Sequence, residues 1–162
     1  MRLSLVLLAV LFLAPLADAG DLQQGIALYQ QGKYAEAETA LAGVAGPEAS
    51  AYRAASMARL KKHAAAEPEA KAAVDALPTN DVAVAALGES LVGLKKYDEA
   101  VTRLSAALAK KEDIAYAHYW LGHAYYNKKQ TDKMILHFQR FLKLAPKAPE
   151  AVSVQQLLAG LR

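Results

Sequence analysis

The sequence predicts an all-α fold, an α-solenoid of helix–turn–helix units closed by a C-terminal capping helix. Two segments share one pattern and begin 34 residues apart, at Leu87-Gly88 and at Leu121-Gly122. Aromatic residues make up only 7% of the chain, and much of its apolar content is alanine, the strongest helix former. Apolar residues recur at steps of three and four on each predicted helix. A pair of such helices buries its apolar face only by stacking on the next pair, which builds a solenoid.

The first 19 residues carry the pattern of a cleaved signal peptide. Arg2 precedes an apolar run from Leu3 to Leu13, and the segment ends in Ala17-Asp18-Ala19, a small-x-small triplet that suits signal peptidase. The uncharged stretch 3–17 is shorter than the roughly 20 residues that a membrane-spanning helix needs. The chain has no cysteine to carry a lipid anchor. We therefore expect cleavage after Ala19 and export to the periplasm or the medium, without a stable membrane anchor.

Residues 20–162 are predicted to form one domain with four helix–turn–helix units, at about 21–47, 48–80, 81–114 and 115–148, and a capping helix at 149–162. The last two units have the clearest pattern, the second has smaller residues at the same places, and the first ends early, at Gly46-Pro47. The matching positions are Ala54, Met57, His63, Ala66, Ala70 and Ala73 in the second unit, Gly88, Leu91, Tyr97, Ala100, Leu104 and Ala107 in the third, and Gly122, Tyr125, Thr131, Met134, Phe138 and Phe141 in the fourth.

Local signals indicate where the helices begin and end. Gly32 suits the left-handed residue that follows a helix, and Asp81 and Asp113 are predicted to cap the helices after them. Pro68 and Pro149 are expected near the start of a helix, where a missing N–H costs little. In the capping helix, four apolar residues are expected to cover the open end of the stack: Val152, Leu157, Leu158 and Leu161.

This pattern resembles the tetratricopeptide repeat, a helix–turn–helix of 34 residues whose tandem copies form a right-handed α-solenoid. The resemblance extends over roughly residues 21–148 and is strongest in the last two units. It implies that certain small and aromatic residues pack the helices against one another. These packing residues are Gly25, Gly88, Ala100, Gly122, Trp120, Tyr125 and Phe138.

The resemblance also implies a concave groove, lined mainly by the first helix of each unit. Transferred position by position, its lining residues are Ile26, Tyr29, Arg59, Val82, Glu89, Val92, Tyr116, Tyr119, His123 and Tyr126. Two interpretations of the three tyrosines in the last unit stay open. They pack against the neighbouring unit, or they form an aromatic site for an extended or helical peptide, since tyrosine is enriched at binding hot spots. Some members of this family bind the acidic terminus of a partner chain with a clamp of Lys, Asn and Arg on the inner face. The comparable positions here carry neither Lys nor Arg, so recognition of an acidic chain terminus is not expected.

No arrangement of catalytic residues is recognisable, so we expect no enzyme. The serines lack a G-x-S-x-G setting, and no glycine-rich phosphate loop or cofactor motif is present. His118 and His123 are five residues apart and diverge around a helix, so no metal site is expected, although His137 is able to approach one of them. The net charge of +3 and the scattered lysines give no indication of nucleic acid binding. Lysine pairs in the turns indicate solvating charges or, alternatively, a basic edge for anionic lipid or polymer.

The sequence therefore predicts a non-enzymatic, exported scaffold that binds another protein or a peptide segment through the concave groove, in envelope assembly or secretion. An alternative is an accessory module of a cell-envelope enzyme complex that acts on peptidoglycan, binding the enzyme or binding glycan through Tyr116 and Tyr119. A third alternative is an enzyme with catalytic residues in an unfamiliar arrangement. The oligomeric state stays open, because repeat stacks are able to join end to end.

Overall fold

The computed structural model describes residues 19–161, with side chains described from Asp21 onward; the predicted leader lies outside this range apart from Ala19. Within it the chain is helical, and no residue of this part forms a strand. The helices are α1 (Ala19–Gln30), α2 (Tyr34–Ala40), α3 (Pro47–Arg59), α4 (His63–Ala76), α5 (Asp81–Gly93), α6 (Tyr97–Lys110), α7 (Ala115–Asn127), α8 (Thr131–Leu144) and α9 (Ala151–Ala159).

The helices form four hairpins, α1–α2, α3–α4, α5–α6 and α7–α8, which stack in order, and α9 packs on α8. The first helices contact one another along the stack, and each second helix also contacts the first helix of the next hairpin. One continuous apolar core extends from Ala51 in α3 to Val154 in α9. This is the predicted right-handed α-solenoid, in which each hairpin is completed by its neighbour.

The turn inside each hairpin has the same backbone conformation. Its second residue is left-handed, with φ of 76° at Gly32, 63° at Lys61, 61° at Lys95 and 58° at Lys129. The next residue donates its N–H to the carbonyl five residues earlier, as Lys96 does to Leu91 at 2.8 Å. This is the bonding pattern of a Schellman motif, which satisfies the last carbonyls of the first helix. The expectation for Gly32 is confirmed.

Gly25, Gly88 and Gly122 are among the glycines that allow close packing of helices and side chains. A Cβ atom built on Gly88 would lie 2.7 Å from the Trp120 side chain, and one on Gly122 would lie 2.5 Å from the Phe138 ring. In the first hairpin Gly25 lies against Leu41 in the same way, at 2.4 Å. Real Cβ contacts are not that short, so each of these positions excludes a larger residue. Ala100 and Tyr125 are buried in the core between these contacts.

Two expectations about helix starts are wrong. Asn80, not Asp81, caps α5, and its side-chain oxygen accepts the N–H of Ala83 at 2.9 Å. α7 begins at Ala115 after Ile114, so Asp113 lies too early to cap it. Asp81 instead lies in the first turn of α5, where its charge is favourable.

Both prolines were also misplaced. Pro68 lies inside α4, in its second turn, because the 34-residue register starts that helix at His63. Ala64, whose carbonyl loses its partner there, is exposed, and water is available to it. Pro149 lies in the turn before α9, which begins only at Ala151.

The capping helix buries a different set of residues from the one expected. Ala151 and Val154 are buried, and Leu157 and Leu158 are partly buried against the core. Val152 and Leu161 are 62% and 49% exposed. The prediction for Val152 is wrong because this residue follows the buried Ala151 directly. Its side chain therefore points about 100° away from the buried face of the helix. No helix within residues 19–161 combines the length and apolarity needed to cross a membrane.

Candidate functional site

Among the predicted groove residues, Arg59, the last residue of α3, lies at the centre of a cluster of charged side chains. Its Nε lies 3.5 Å from Oε2 of Glu89 in α5, and its Nη1 lies 3.4 Å from Oε1 of Glu150 in the turn before α9. Glu89 is nearly buried, with 6% of its side chain exposed, and Lys61 approaches its other oxygen at 3.5 Å. Side chains from two hairpins and from the capping segment therefore meet at one guanidinium.

Glu150 extends the groove beyond the residues that the sequence predicted. It accepts a hydrogen bond of 2.8 Å from the hydroxyl of Tyr116, in addition to its ion pair with Arg59. Glu150 is absent from the predicted lining residues, because the capping segment is predicted only to cover the end of the stack. The signal was available, since Glu150 lies 34 residues after Tyr116 and therefore at the same position of the repeat.

The aromatic residues of α7 divide into a packed group and an exposed residue. Tyr119 packs on His123 at 4.5 Å between ring centroids, on Trp120 at 4.8 Å and on Phe141 at 5.0 Å. The Tyr119 ring is therefore half-buried within its own hairpin, and its use in binding stays a prediction. Tyr126 is 54% exposed, and it is the exposed aromatic side chain of α7.

The remaining predicted lining residues lie along the first helices of the other hairpins. In α1, Tyr29 packs on Tyr34 and Tyr52, each at 5.4 Å between centroids, and Ile26 is half-buried. In α5, Val82 and Val92 are partly buried against the core. Their apolar surface is mostly used inside the protein, which leaves the charged centre and Tyr126 as the distinctive features of the groove.

Burial raises the pKa values of three groove tyrosines, and neighbouring groups raise that of Arg59. Burial raises the pKa of Tyr29, with Arg59 opposing, and it raises the pKa of Tyr119 to about 12. Burial and the Glu150 carboxylate raise the pKa of Tyr116 further. Burial opposes the charge of Arg59, but Glu89, Tyr29 and Glu150 together raise its pKa. These groups therefore serve as charges and hydrogen-bond donors rather than as proton carriers.

Two buried polar atoms of α7 have no hydrogen-bond partner in the part of the chain that the structure describes. They are Trp120 Nε1 and His123 Nε2, and the two rings lie 5.5 Å apart. Burial also lowers the pKa of His123, which favours its neutral form. Both atoms are covered by the protein, so they raise the energy of the folded state instead of offering a ligand site.

A second polar cluster lies outside the groove, between α7 and α8. His118 Nδ1 lies 3.0 Å from His137 Nδ1, and His118 Nε2 lies 3.0 Å from the carbonyl oxygen of Glu112. His137 thus approaches His118, as considered from the sequence. Beside them is a cleft of about 470 Å³ whose lining includes Arg140 and Lys143. Among residues 19–161, no three His, Asp or Glu side chains come together in a way that would hold a metal ion.

This architecture defines a class of protein. Stacked helical hairpins with a polar, partly aromatic inner face form a helical-repeat scaffold, the class of fold that binds extended or helical protein segments. Sequence models of the tetratricopeptide repeat match residues 22–81, 88–129 and 115–147, which together account for most of the chain. The chain belongs to the tetratricopeptide repeat family.

Solved structures agree on the fold. TTC0263, a thermophilic repeat protein of this family from Thermus thermophilus, has a TM-score of 0.73 and 23% identity, with 83% of this chain and 77% of that chain covered. Residues 41–end of MamA from Desulfovibrio magneticus RS-1 give a TM-score of 0.66 and 24% identity, with 82% and 78% covered. YrrB, described as a repeat protein of this family with an unusual peptide-binding site, gives 0.64 and 20%, with 82% and 71% covered. A comparison with curated proteins finds no match.

Proposed function

We propose that the protein is an exported, non-enzymatic scaffold that binds another protein or a peptide segment through the concave groove. The observation that carries this proposal is the convergence of side chains from α3, α5, α7 and the turn before α9 on one face, around Arg59. Charged and aromatic groups on a rigid concave surface are the components of protein-binding hot spots. The tetratricopeptide repeat fold is an interaction scaffold, which supports binding rather than catalysis.

The chemistry of the groove supports a structural use of its polar groups. Arg59 and Glu89 are paired with each other, and the hydroxyl of Tyr116 is hydrogen-bonded to Glu150. A general base or nucleophile needs an accessible group whose pKa lies near the operating pH. The tyrosine pKa values move away from that range, because burial raises them.

The same contacts favour a protein partner over a glycan. Glycan binding through Tyr116 and Tyr119 would need open ring faces, but Tyr116 packs on Phe141 at 5.7 Å between centroids and Tyr119 packs inside its own hairpin. Tyr126, at the other end of α7, presents a single exposed ring. A single exposed aromatic in a groove that also carries charged groups fits a peptide side chain and its neighbouring charges.

The proposal includes export to the periplasm, which is supported by the signal-peptide pattern of the first 19 residues. A role in envelope assembly or secretion is proposed because of that location. The full chain expressed in a Gram-negative host should be recovered from the periplasm with Gly20 as its first residue, because cleavage is proposed after Ala19. N-terminal sequencing and mass spectrometry of the fractionated protein provide the measurement. Recovery of the uncleaved chain in the cytoplasm would contradict the proposed location.

The groove is tested by partner capture with Tyr126→Ala. The substitution removes an exposed ring and should leave the fold intact, while affinity for the captured partner should fall about tenfold, as for a hot-spot residue. Leu136→Ala is the matched control, since Leu136 is 53% exposed but lies on α8, a second helix. Equal loss of capture with both variants, or no loss with Tyr126→Ala, would contradict a site in the groove.

A further inference from the structure

Glu150 connects the second hairpin to the last one, through Arg59 in α3 and Tyr116 in α7. It lies in the turn between α8 and α9, yet its carboxylate contacts Arg59, 91 residues earlier in α3. Only 17% of its side chain is exposed, although the turn around it lies at the surface. The capping segment therefore places a negatively charged group inside the groove that the first helices form.

The contacts of Glu150 and Glu89 with Arg59 differ in how easily they exchange. Glu89 is buried on α5, so its carboxylate is fixed and holds the guanidinium in place. Glu150 is held by one short hydrogen bond from Tyr116, at 2.8 Å, and by one ion pair at 3.4 Å. Charge-assisted N–H···O bonds of good geometry are about 2.7–2.9 Å long. The Arg53–Glu69 pair reaches 2.7 Å in this protein, so both ion pairs of Arg59 are comparatively long, at 3.5 Å to Glu89 and 3.4 Å to Glu150. Glu150 is the acid that is easier to displace, because 17% of its side chain is exposed against 6% for Glu89 and because it lies in a turn and not in a helix.

The charges around Arg59 indicate whether a partner carboxylate would bind beside Glu150 or would replace it. Arg59 already faces the two carboxylates of Glu89 and Glu150, and Lys61 is the further cation at Glu89. A third carboxylate added beside Glu150 would meet like charge in a partly buried place, which is unfavourable. A carboxylate that replaces Glu150 would keep the charge balance and use the same two donors, Arg59 and Tyr116.

We propose that Arg59 and Tyr116 form a carboxylate-binding site, that Glu150 occupies it in the free protein, and that an acidic side chain of the partner displaces Glu150. This inference deepens the proposed function and rests on it, because it names the chemistry of the partner at one position of the groove. Binding would release the turn before α9 from α3, and the release of Glu150 would lower the apparent affinity.

The test uses a hexaglutamate peptide as the acidic probe and hexaglutamine as the neutral probe. Glu150→Gln removes the internal charge and keeps an acceptor for Tyr116, so hexaglutamate should bind the variant about fivefold or more tightly than the wild type. Hexaglutamine binding should not change. Trp120, the single tryptophan, lies 4.8 Å from the Tyr119 ring, and its fluorescence reports occupancy alongside calorimetry.

Two further variants separate the site from the general charge of the protein. Glu36→Gln makes the same charge change at an exposed position on α2, and hexaglutamate affinity should stay at the wild-type value. Adding Arg59→Gln to Glu150→Gln should abolish the gain. Urea unfolding of every variant verifies the fold, and Glu150→Asp, with a shorter reach, provides a milder release that should give a smaller gain.

Several results would overturn the inference. They are an equal gain with Glu36→Gln, a gain that survives Arg59→Gln, or no hexaglutamate binding by either the wild type or Glu150→Gln. The proposed function fails separately, when Tyr126→Ala leaves capture of the natural partner unchanged. Loss of capture with Tyr126→Ala but no effect of Glu150→Gln on hexaglutamate would keep the groove and reject the carboxylate site.

Discussion

At the scale of single residues, the His118–His137 pair connects the stability of the hairpin α7–α8 to pH. Burial lowers the pKa of His118, and burial together with neighbouring His118 lowers the pKa of His137 to about 4. Arg140, near His118, also opposes a positive charge there, and the Tyr125 ring stacks on His137 at 5.4 Å. If both rings were protonated, two positive charges would face each other, because the two Nδ1 atoms lie only 3.0 Å apart.

We predict that acid weakens the fold through this pair. An unfolded histidine has a pKa of about 6.5, so the unfolded chain takes up a proton below that pH while folded His137 takes it up only near pH 4. The contribution of the pair to stability is therefore present above about pH 6.5 and is lost as the pH drops towards 4. Because His137 is only partly buried, solvent screening reduces the expected loss at pH 5 to about 1 kcal/mol. Urea unfolding at pH 7.5 and pH 5 measures the loss. His137→Gln should make it smaller, and an unchanged loss in that variant would exclude this pair as its cause.

At the scale of helices and turns, the repeated turn uses three lysines where one unit has glycine. Lys61, Lys95 and Lys129 adopt the left-handed conformation of Gly32. A side chain with a Cβ atom is strained there by roughly 1 kcal/mol, whereas glycine is not. Gly32 is recognisable from the sequence as the residue after a helix end, whereas the lysine pairs indicate only solvating turn charges.

The strain predicts opposite effects at two equivalent turns. Lys129→Gly should stabilise the protein by about 0.5–1 kcal/mol, because it relieves a φ of 58°. Gly32→Ala should destabilise it by a similar amount, although nothing lies within 4 Å of a Cβ there, because its φ is 76°. Chemical denaturation of both variants tests the prediction. A stabilising Gly32→Ala or a destabilising Lys129→Gly would show that the turn conformation does not control stability.

Contacts between hairpins predict the effect of a single added methyl group. Gly88→Ala should cost about 1–3 kcal/mol, because its Cβ would meet the Trp120 side chain at 2.7 Å and α7 would have to shift. Gly160→Ala is the control, since its Cβ would lie 3.7 Å from the nearest atoms, at a φ of −72°. Thermal unfolding compares the two. If Gly88→Ala proves as harmless as Gly160→Ala, the close packing of α5 against α7 is not a requirement.

Helix positions could be predicted because the period of 34 fixes them. α4, α6 and α8 begin at His63, Tyr97 and Thr131, even though the α3–α4 hairpin has small residues at most of the positions where the later hairpins have large ones. Helix caps could not be assigned as reliably. Asn80 and Asp81 are both good capping residues next to each other, and only the backbone geometry decides which one bonds Ala83.

At the scale of the whole molecule, the turn lysines connect successive hairpins. Lys62 pairs with Glu38 at 2.8 Å and Lys96 pairs with Glu67 at 2.7 Å, and in each case the acid lies on the second helix of the preceding hairpin. Hydrogen bonds from Lys71 and Lys96 lower the pKa of Glu67. Exposed pairs contribute at most about 1 kcal/mol each. These lysines belong to the basic edge that the sequence suggested, and their pairing with acidic residues neutralises part of its charge.

The groove was only partly predictable, for a reason that belongs to the whole stack. Position within the repeat indicates which residues line the first helices, and Arg59, Glu89 and Tyr116 do meet around one site. How strongly the stack curves decides whether a residue of the capping segment reaches α3, and no single repeat encodes that curvature. Glu150 therefore enters the groove only when all the hairpins are assembled.

The most direct test of the central claim, that the groove binds the partner, is site-specific photo-crosslinking in the native host. A photoreactive benzoylphenylalanine replaces exposed Tyr126 at the groove or exposed Thr102 on α6, outside the groove. Mass spectrometry then identifies the crosslinked partner. The groove model predicts protein adducts from position 126 and none from position 102. Adducts from position 102 alone would contradict it.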